Sequence, residues 1–233
     1  MSGILYGVGV GPGDPELMTV KAWRLISTAK TIAYLAANGG ESTARAIAQH
    51  FFPENLVEIA IDMPMQVERE PAQAAYDLGA KRIVARLQRG EDVVMLCEGD
   101  PFFYGSFIYM YDRLSVDFKV AVVPGVTSIS AAAAQTGSPL ARRDGVVKIL
   151  PATLDADRLR EELLTCQSAA IIKVGRHFAK VKKLLEMLDL TQFATAIEFA
   201  TQPGQRIRDV ADITEAKLPY FTTILVNTDR FRT

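Results

Sequence analysis

The stretch Leu96-Cys97-Glu98-Gly99-Asp100-Pro101-Phe102-Phe103-Tyr104-Gly105-Ser106 decides how this chain is read. The apolar run that leads into it, residues 92–96, has the texture of a buried strand, and it ends abruptly in Glu-Gly-Asp-Pro. Acids, glycines and a proline crowded at the carboxyl end of a buried strand are costly to keep for fold alone. In open α/β sheets that end is where ligands bind. The N-terminus carries a companion: a strand signal at residues 4–8 runs into Gly9-Val10-Gly11-Pro12-Gly13-Asp14-Pro15. Two such loops in one half of a chain predict two walls of one small-molecule cleft.

Outward from these loops, strand and helix signals alternate. Strand-like runs fall at 4–10, 31–35, 56–60, 92–96 and 119–123. Met18, Ala22, Leu25, Ile26 and Ala29 share one face at helical spacing, with Asp14 placed as N-cap and Pro15 as first residue. Ala72, Tyr76, Gly79, Ile83 and Leu87 share another, stopping at Gly90. Near-continuous apolar strands between helices predict a mainly parallel sheet covered on both faces. A second set of strands is expected at 146–150, 169–174, 195–200, 206–210 and 222–226, with helices at 126–135, 155–166 and 178–188. The last three strands have little helix between them, which predicts an antiparallel end. The expected fold is therefore two α/β domains, 1–118 and 119–233.

Composition narrows the function. At 233 residues with 49% apolar content, the chain has enough for real cores. A net charge of −1 argues against a broad nucleic-acid footprint. No apolar run reaches the ~18 residues of a membrane span, and no basic segment followed by an apolar core marks a signal peptide. Cys97 and Cys166, far apart, suit reduced thiols in the cytoplasm. His50 and His177 stand in unrelated contexts, so no metal site is expected.

The loop chemistry narrows it further. A dinucleotide fingerprint needs Gly-x-Gly-x-x-Gly after a strand. Counting from Gly9 and Gly11 the third glycine falls at Asp14, and from Gly7 and Gly9 it falls at Pro12, so both registers fail. A carboxylate at Asp14 also competes with any phosphate for the helix amides. The loop suits a ligand without phosphates, though a tight Asp-Pro-capped turn uses the same residues. Asp100 has the same two readings: an acceptor for ligand hydroxyls or an amine, or an Asx turn. Pro124-Gly125-Val126-Thr127-Ser128 follows a further strand and opens a helix, offering hydroxyls and first-turn amides to a cap or a ligand.

Taken in order, Gly9-Val10-Gly11-Pro12-Gly13-Asp14, Gly99-Asp100-Pro101 with Gly105, Pro124-Gly125-Val126-Thr127-Ser128 and Lys173-Val174-Gly175 make the chain resemble the tetrapyrrole (corrin/porphyrin) methyltransferases. The resemblance spans nearly the whole chain. It implies S-adenosylmethionine as cofactor, held in a cleft between two α/β domains, and a homodimer. Glu98 ahead of Gly-Asp, the Phe102-Phe103-Tyr104-Gly105-Ser106 run and Pro219-Tyr220-Phe221 favour the members that methylate C-20 of precorrin-2 in cobalamin biosynthesis. Uroporphyrinogen methyltransferases are expected to carry Gly-Gly-Asp-Pro there and an arginine after the second glycine. Metal-free and cobalt-bearing substrates both stay open, as does another ring position.

Carried over by position, the resemblance implies cofactor contacts at Pro12, Gly99, Asp100, Ser106, Thr127, Ser128, Val174 and Ala200. Ala200-Thr201 stands where relatives often have Gly-Thr. One proton must leave the acceptor carbon, and Glu98, Asp100 and Tyr104 are the candidates to take it, Glu98 first; His177 is a further one by position. A tetrapyrrole carries many carboxylate arms, so Arg142, Arg143, Arg176 and His177 are the expected substrate contacts, with Lys148 and Lys173 nearby. Lys180, Lys182 and Lys183 read as solvated charge.

Overall fold

The structure, a computed structural model, describes residues 2–37, 39–64 and 69–228. Its contacts divide into two compact units, Met1–Thr127 and Ser128–Thr233. Each unit contains one five-stranded sheet.

In the first unit the strands are β1 (Leu5–Gly9), β2 (Thr31–Ala37), β3 (Val57–Met63), β4 (Val93–Cys97) and β5 (Val120–Val123). They run parallel in the order β3-β2-β4-β1-β5. Strand alternation sorts the core into two layers. Leu5, Ala33, Val93, Met95 and Cys97 pack with Tyr76, Ile83 and Leu87 of α3 (Arg69–Leu87) and Phe107, Met110 and Leu114 of α4 (Phe107–Leu114). The intervening Val8, Ile32, Tyr34, Val94 and Leu96 pack with Ala22 and Ile26 of α1 (Val20–Ser27) and Ala44, Ile47 and Ala48 of α2 (Thr43–Ala48). Every residue of β4 is buried, as its unbroken apolar sequence requires in a sheet covered on both faces. Each fully buried Leu, Ile or Phe contributes about 1.5–3 kcal/mol.

Two local expectations shift. Asp14 does cap a turn, accepting from the Glu16 amide at 2.9 Å, but that turn is a short 3-10 segment, Pro15–Leu17. The helix proper starts five residues on and is capped by Thr19, whose hydroxyl accepts from the Ala22 amide at 3.1 Å. The division expected after residue 118 falls ahead of β5, which pairs with β1 in the first sheet, so this unit continues to Thr127.

The second unit comprises α5 (Ser128–Thr136), β6 (Val147–Pro151), α6 (Ala156–Leu164), β7 (Ser168–Ile172), α7 (Phe178–Met187), β8 (Ala194–Glu198), β9 (Arg206–Asp209) and β10 (Thr222–Asn227). The sheet order is β6-β7-β10-β8-β9. β6 and β7 are parallel, and every other pairing is antiparallel. The last strand in sequence thus enters the middle of the sheet, and all six of its residues are buried. Leu159 and Leu163 of α6 and Phe178, Val181, Leu184 and Leu185 of α7 cover one face, and α5 contacts β8 and β10.

Three lysines differ from the sequence reading. Lys148 is absorbed by an ion pair with Glu162 at 2.7 Å and a bond to the Thr165 hydroxyl at 2.6 Å. On α7, Lys180 donates to the Ala152 carbonyl at 2.7 Å and to that of Leu154, and Lys182 donates to the Ile213 carbonyl at 2.5 Å. They tie the helix to neighbouring loops, where plain solvated charge was expected. No helix among the described residues is long and apolar enough to cross a membrane.

Candidate functional site

The first unit brings three loops together at the carboxyl ends of β1, β4 and β5. Connections from β1 and β4 leave in opposite directions along the sheet, as the strand order requires. Such a reversal opens a crevice at the strand ends. Here glycines line the junction. Gly11 and Gly99 form an antiparallel bridge, with the Gly99 amide donating to the Gly11 carbonyl at 2.8 Å. A Cβ on Gly125 would lie 2.0 Å from the Gly99 carbonyl oxygen, and one on Gly9 would lie 2.7 Å from Gly125 Cα. Gly99 itself has φ +63° and sits in left-handed backbone. Three main chains meet here closer than any side chain permits.

Asp100 fastens this junction. Its Oδ1 accepts from the Phe102 amide at 2.8 Å, making the Asx turn, and its Oδ2 accepts from the Gly125 amide at 3.0 Å. The carboxylate thus clamps the β4 loop to the β5 loop. Asp100→Ala is expected to cost about 1.5–3 kcal/mol, the range for bonds to a charged group, in a urea titration. Asp100→Asn keeps one acceptor oxygen and should lose less. A melting curve unchanged by Asp100→Ala would remove the clamp from the account.

Glu98, one residue before the bridge, accepts from the Ala44 amide at 3.2 Å and so joins the β4 loop to the start of α2. Surrounding protein raises the Glu98 carboxyl above the usual carboxylate range, while hydrogen bonds from its own amide and that of Ala44 pull it back. Solvent still reaches the side chain, which tempers the upward push. Tyr104 stands in left-handed backbone at φ +56°, a costly conformation for a bulky residue, with its ring exposed and edge-on to Phe103. Pro12 is buried; Gly99, Asp100, Ser106 and Thr127 are half-buried, and Ser128 is exposed at the first turn of α5.

The family model for tetrapyrrole (corrin/porphyrin) methylases matches residues 4–216. The chain belongs to this family. It is 34% identical to a precorrin-2 C(20)-methyltransferase of Sinorhizobium, with 97% of each chain covered. It is 30% identical to a cobalt-precorrin-2 C(20)-methyltransferase of Salmonella typhimurium, again with 97% of each covered. The cobalamin biosynthesis protein CobIJ of Mycobacterium bovis is 38% identical over 99% of this chain, but the chain spans only about half (47%) of that relative's length. Among solved structures, a cobalt precorrin-4 methyltransferase superposes with TM-score 0.73 at 22% identity, covering 96% of this chain and 94% of the other. A uroporphyrin-III C-methyltransferase from Thermus thermophilus, crystallised with S-adenosyl homocysteine, gives 0.69 at 21%, covering 97% and 92%. These likenesses carry the two-domain α/β fold.

In the second unit of this tetrapyrrole methylase, the carboxyl end of β7 and the end of β8 collect unusual backbone. Lys173, Phe199 and Thr201 have φ of +56°, +50° and +63°. The Leu218 amide donates to the Gly175 carbonyl at 3.1 Å, and the Phe199 amide to the Phe221 carbonyl at 2.8 Å. Val174 and Ala200 are both buried, Val174 completely. Arg176 is exposed beside His177, donating from Nε to its Nε2 at 3.3 Å. Burial, then Lys180 and Arg176, lowers the His177 ring below its usual value. Arg142 and Arg143 stand apart from these two. They precede β6, on a loop whose start is held by Asn227 donating to the Pro139 carbonyl at 2.6 Å. Asn227 pairs with Ser168, so this anchor marks the amino end of parallel β6 and β7. The four expected substrate contacts do not share one strand end.

Sequence reasoning missed α2 as a partner of Glu98. Its signal was Ser42, the N-cap whose hydroxyl accepts from the Arg45 amide at 3.3 Å.

Proposed function

We propose that this tetrapyrrole methylase transfers a methyl group from S-adenosylmethionine to C-20 of precorrin-2, giving precorrin-3A in cobalamin biosynthesis. The observation that carries the reading is end-to-end 34% identity with the Sinorhizobium precorrin-2 enzyme. The residues at the glycine junction fit the cofactor. The glycines let the three loops close on one another at the strand ends, and acids at Asp14 and Asp100 disfavour a phosphate-bearing ligand there. Pro12, Gly99, Ser106, Thr127 and Ser128 would hold it, and the family resemblance adds Val174 and Ala200 to that set. Asp100 serves by keeping the loops in register. Homodimer formation and a cytoplasmic setting complete the reading, supported by the family resemblance and the two separated cysteines.

S-adenosylmethionine, when bound, supplies a methyl already activated by its sulfonium. The protein's part is alignment, worth up to about 7–11 kcal/mol in well-oriented cases, exclusion of water, and acceptance of the proton that leaves the acceptor carbon. Glu98 takes that proton in this reading, because its carboxyl is held at the strand end by the Ala44 amide and burial shifts its ionisation upward. Cobalt-precorrin-2 is the second reading, favoured by 30% identity to the Salmonella enzyme.

The test is transfer of labelled methyl from S-adenosylmethionine to precorrin-2 with and without cobalt, reading the methylated position by NMR. Label at C-20 is expected, and methylation elsewhere or none with either substrate overturns the proposal. Calorimetry should show micromolar binding of S-adenosylhomocysteine and none of ATP or NAD. Arg176→Glu should raise KM for the tetrapyrrole about tenfold if the exposed guanidinium pairs with a carboxylate arm. Arg142→Glu and Arg143→Glu should change it less. Equal KM effects from all three would join the two strand ends into one substrate surface.

A further inference from the structure

Residues 199–205 join the antiparallel strands β8 and β9, and the turn they make is built on unfavourable backbone. Phe199 and Thr201 have φ of +50° and +63°, a region that bulky and β-branched residues rarely enter. Buried Ala200 lies between them. Backbone of this kind persists only where its surroundings over-determine it. The Phe199 amide donates to the Phe221 carbonyl at 2.8 Å, the Gln202 amide to the Phe199 carbonyl at 2.8 Å, and the Gln205 amide to the Gln202 carbonyl at 3.1 Å. None of these bonds reaches the Thr201 amide. That group donates to Oε1 of the Gln205 side chain at 2.6 Å. The other end of the same side chain, Nε2, donates to Gln135 Oε1 on α5 at 3.0 Å. One half-buried glutamine thus closes the turn on Thr201 and ties it to a helix 70 residues earlier in the chain.

We infer that Gln205 is a positioning residue for cofactor binding: it locks Thr201 in the left-handed turn and so fixes the backbone of Ala200 beside it. The inference rests on the reading that Ala200 meets the cofactor. α5 opens with Ser128, so the tether also joins this turn to a second element of the proposed cofactor set. A glutamine suits the task because one planar group carries both an acceptor and a donor. A glutamate keeps the acceptor for the Thr201 amide, and the Gln135 amide, turned over, can donate to its other oxygen. A methionine of similar length keeps neither bond.

The experiment measures S-adenosylhomocysteine affinity by calorimetry on the full chain, with melting temperature read alongside. Gln205→Met should weaken binding about tenfold, the scale of one lost hydrogen bond. Gln205→Glu should recover most of that loss. With S-adenosylmethionine as methyl donor, the KM of Gln205→Met should rise by a similar factor while kcat at saturation changes less. Gln135→Met, at an exposed position, removes only the tie to α5 and should weaken binding about threefold; it decides the matter if Gln205→Met does not fold. Affinity within about 1.5-fold of wild type in the deciding variant, whatever its melting temperature, would overturn the inference, as would a Gln205→Glu protein no better than Gln205→Met. Hydrogen exchange tests the underlying contact separately. S-adenosylhomocysteine should slow exchange across residues 199–202 of the wild type. Bound ligand with no slowing there would remove the Ala200 contact, and the inference with it; slowing with unchanged affinity in the variants would leave the contact standing and strike Gln205 alone.

Discussion

Gly125→Ala is expected to prevent the first unit from folding stably, with a loss of about 3 kcal/mol or more in urea denaturation. Its Cβ would lie 2.0 Å from the Gly99 carbonyl oxygen and 2.9 Å from Gly9 Cα. Both are main-chain atoms, so no rotamer change relieves the clash. The loops would have to part, breaking the Gly11–Gly99 bridge and the Asp100 bond to the Gly125 amide together. Cofactor affinity should vanish with them. Gly137→Ala is the control. A Cβ there meets nothing within 4 Å, and only its φ of +62° opposes the change, so the expected cost is about 1 kcal/mol. A Gly125→Ala protein within about 0.5 kcal/mol of wild type would mean that the loops are not packed as described.

Much of this junction was legible in the sequence, for physical reasons. Apolar runs bounded by glycine and proline turns mark buried strands, and they located the ten strands among the described residues to within a few positions. The Asx turn at Asp100 was readable because its first partner, Phe102, is two residues away. Its second partner, the Gly125 amide, is 25 residues distant, so the clamp emerges only once β4 and β5 flank β1. The misassigned boundary has the same origin. A helix end near residue 117 looks like a domain edge until β5 is seen to pair with β1. Asp14 and Thr19 show a finer limit. Both are good N-caps, and the sequence offers two helix starts in tandem where the chain uses one for a 3-10 turn and one for α1. Charges were the least legible. The Lys148, Lys180 and Lys182 ammonium groups could not be told from solvated ones, because their partners lie on other elements.

Glu98→Gln is expected to lower kcat for methyl transfer about a hundredfold or more, the usual scale for loss of a general base, while leaving the protein folded. The glutamine carbonyl can still accept from the Ala44 amide, so the tie between the β4 loop and α2 survives. Stability supplies the sign that separates the two roles. The Glu98 carboxyl is raised in the folded state above its ordinary value of 4.5. Its contribution to stability is therefore complete below that value and is lost as pH rises through the folded ionisation. Above that ionisation the wild type carries a carboxylate that the glutamine variant lacks, so there Glu98→Gln should melt at the same temperature or slightly higher. In the wild type kcat should climb as Glu98 ionises, over a window displaced upward from 4.5, and the variant should lose that limb. Ala44 and Ser42 variants that loosen α2 should flatten the limb less, since they move the carboxyl without removing it. A Glu98→Gln enzyme with kcat within twofold of wild type and the same pH limb would transfer the proton's acceptor to another group, with exposed Tyr104 next in line.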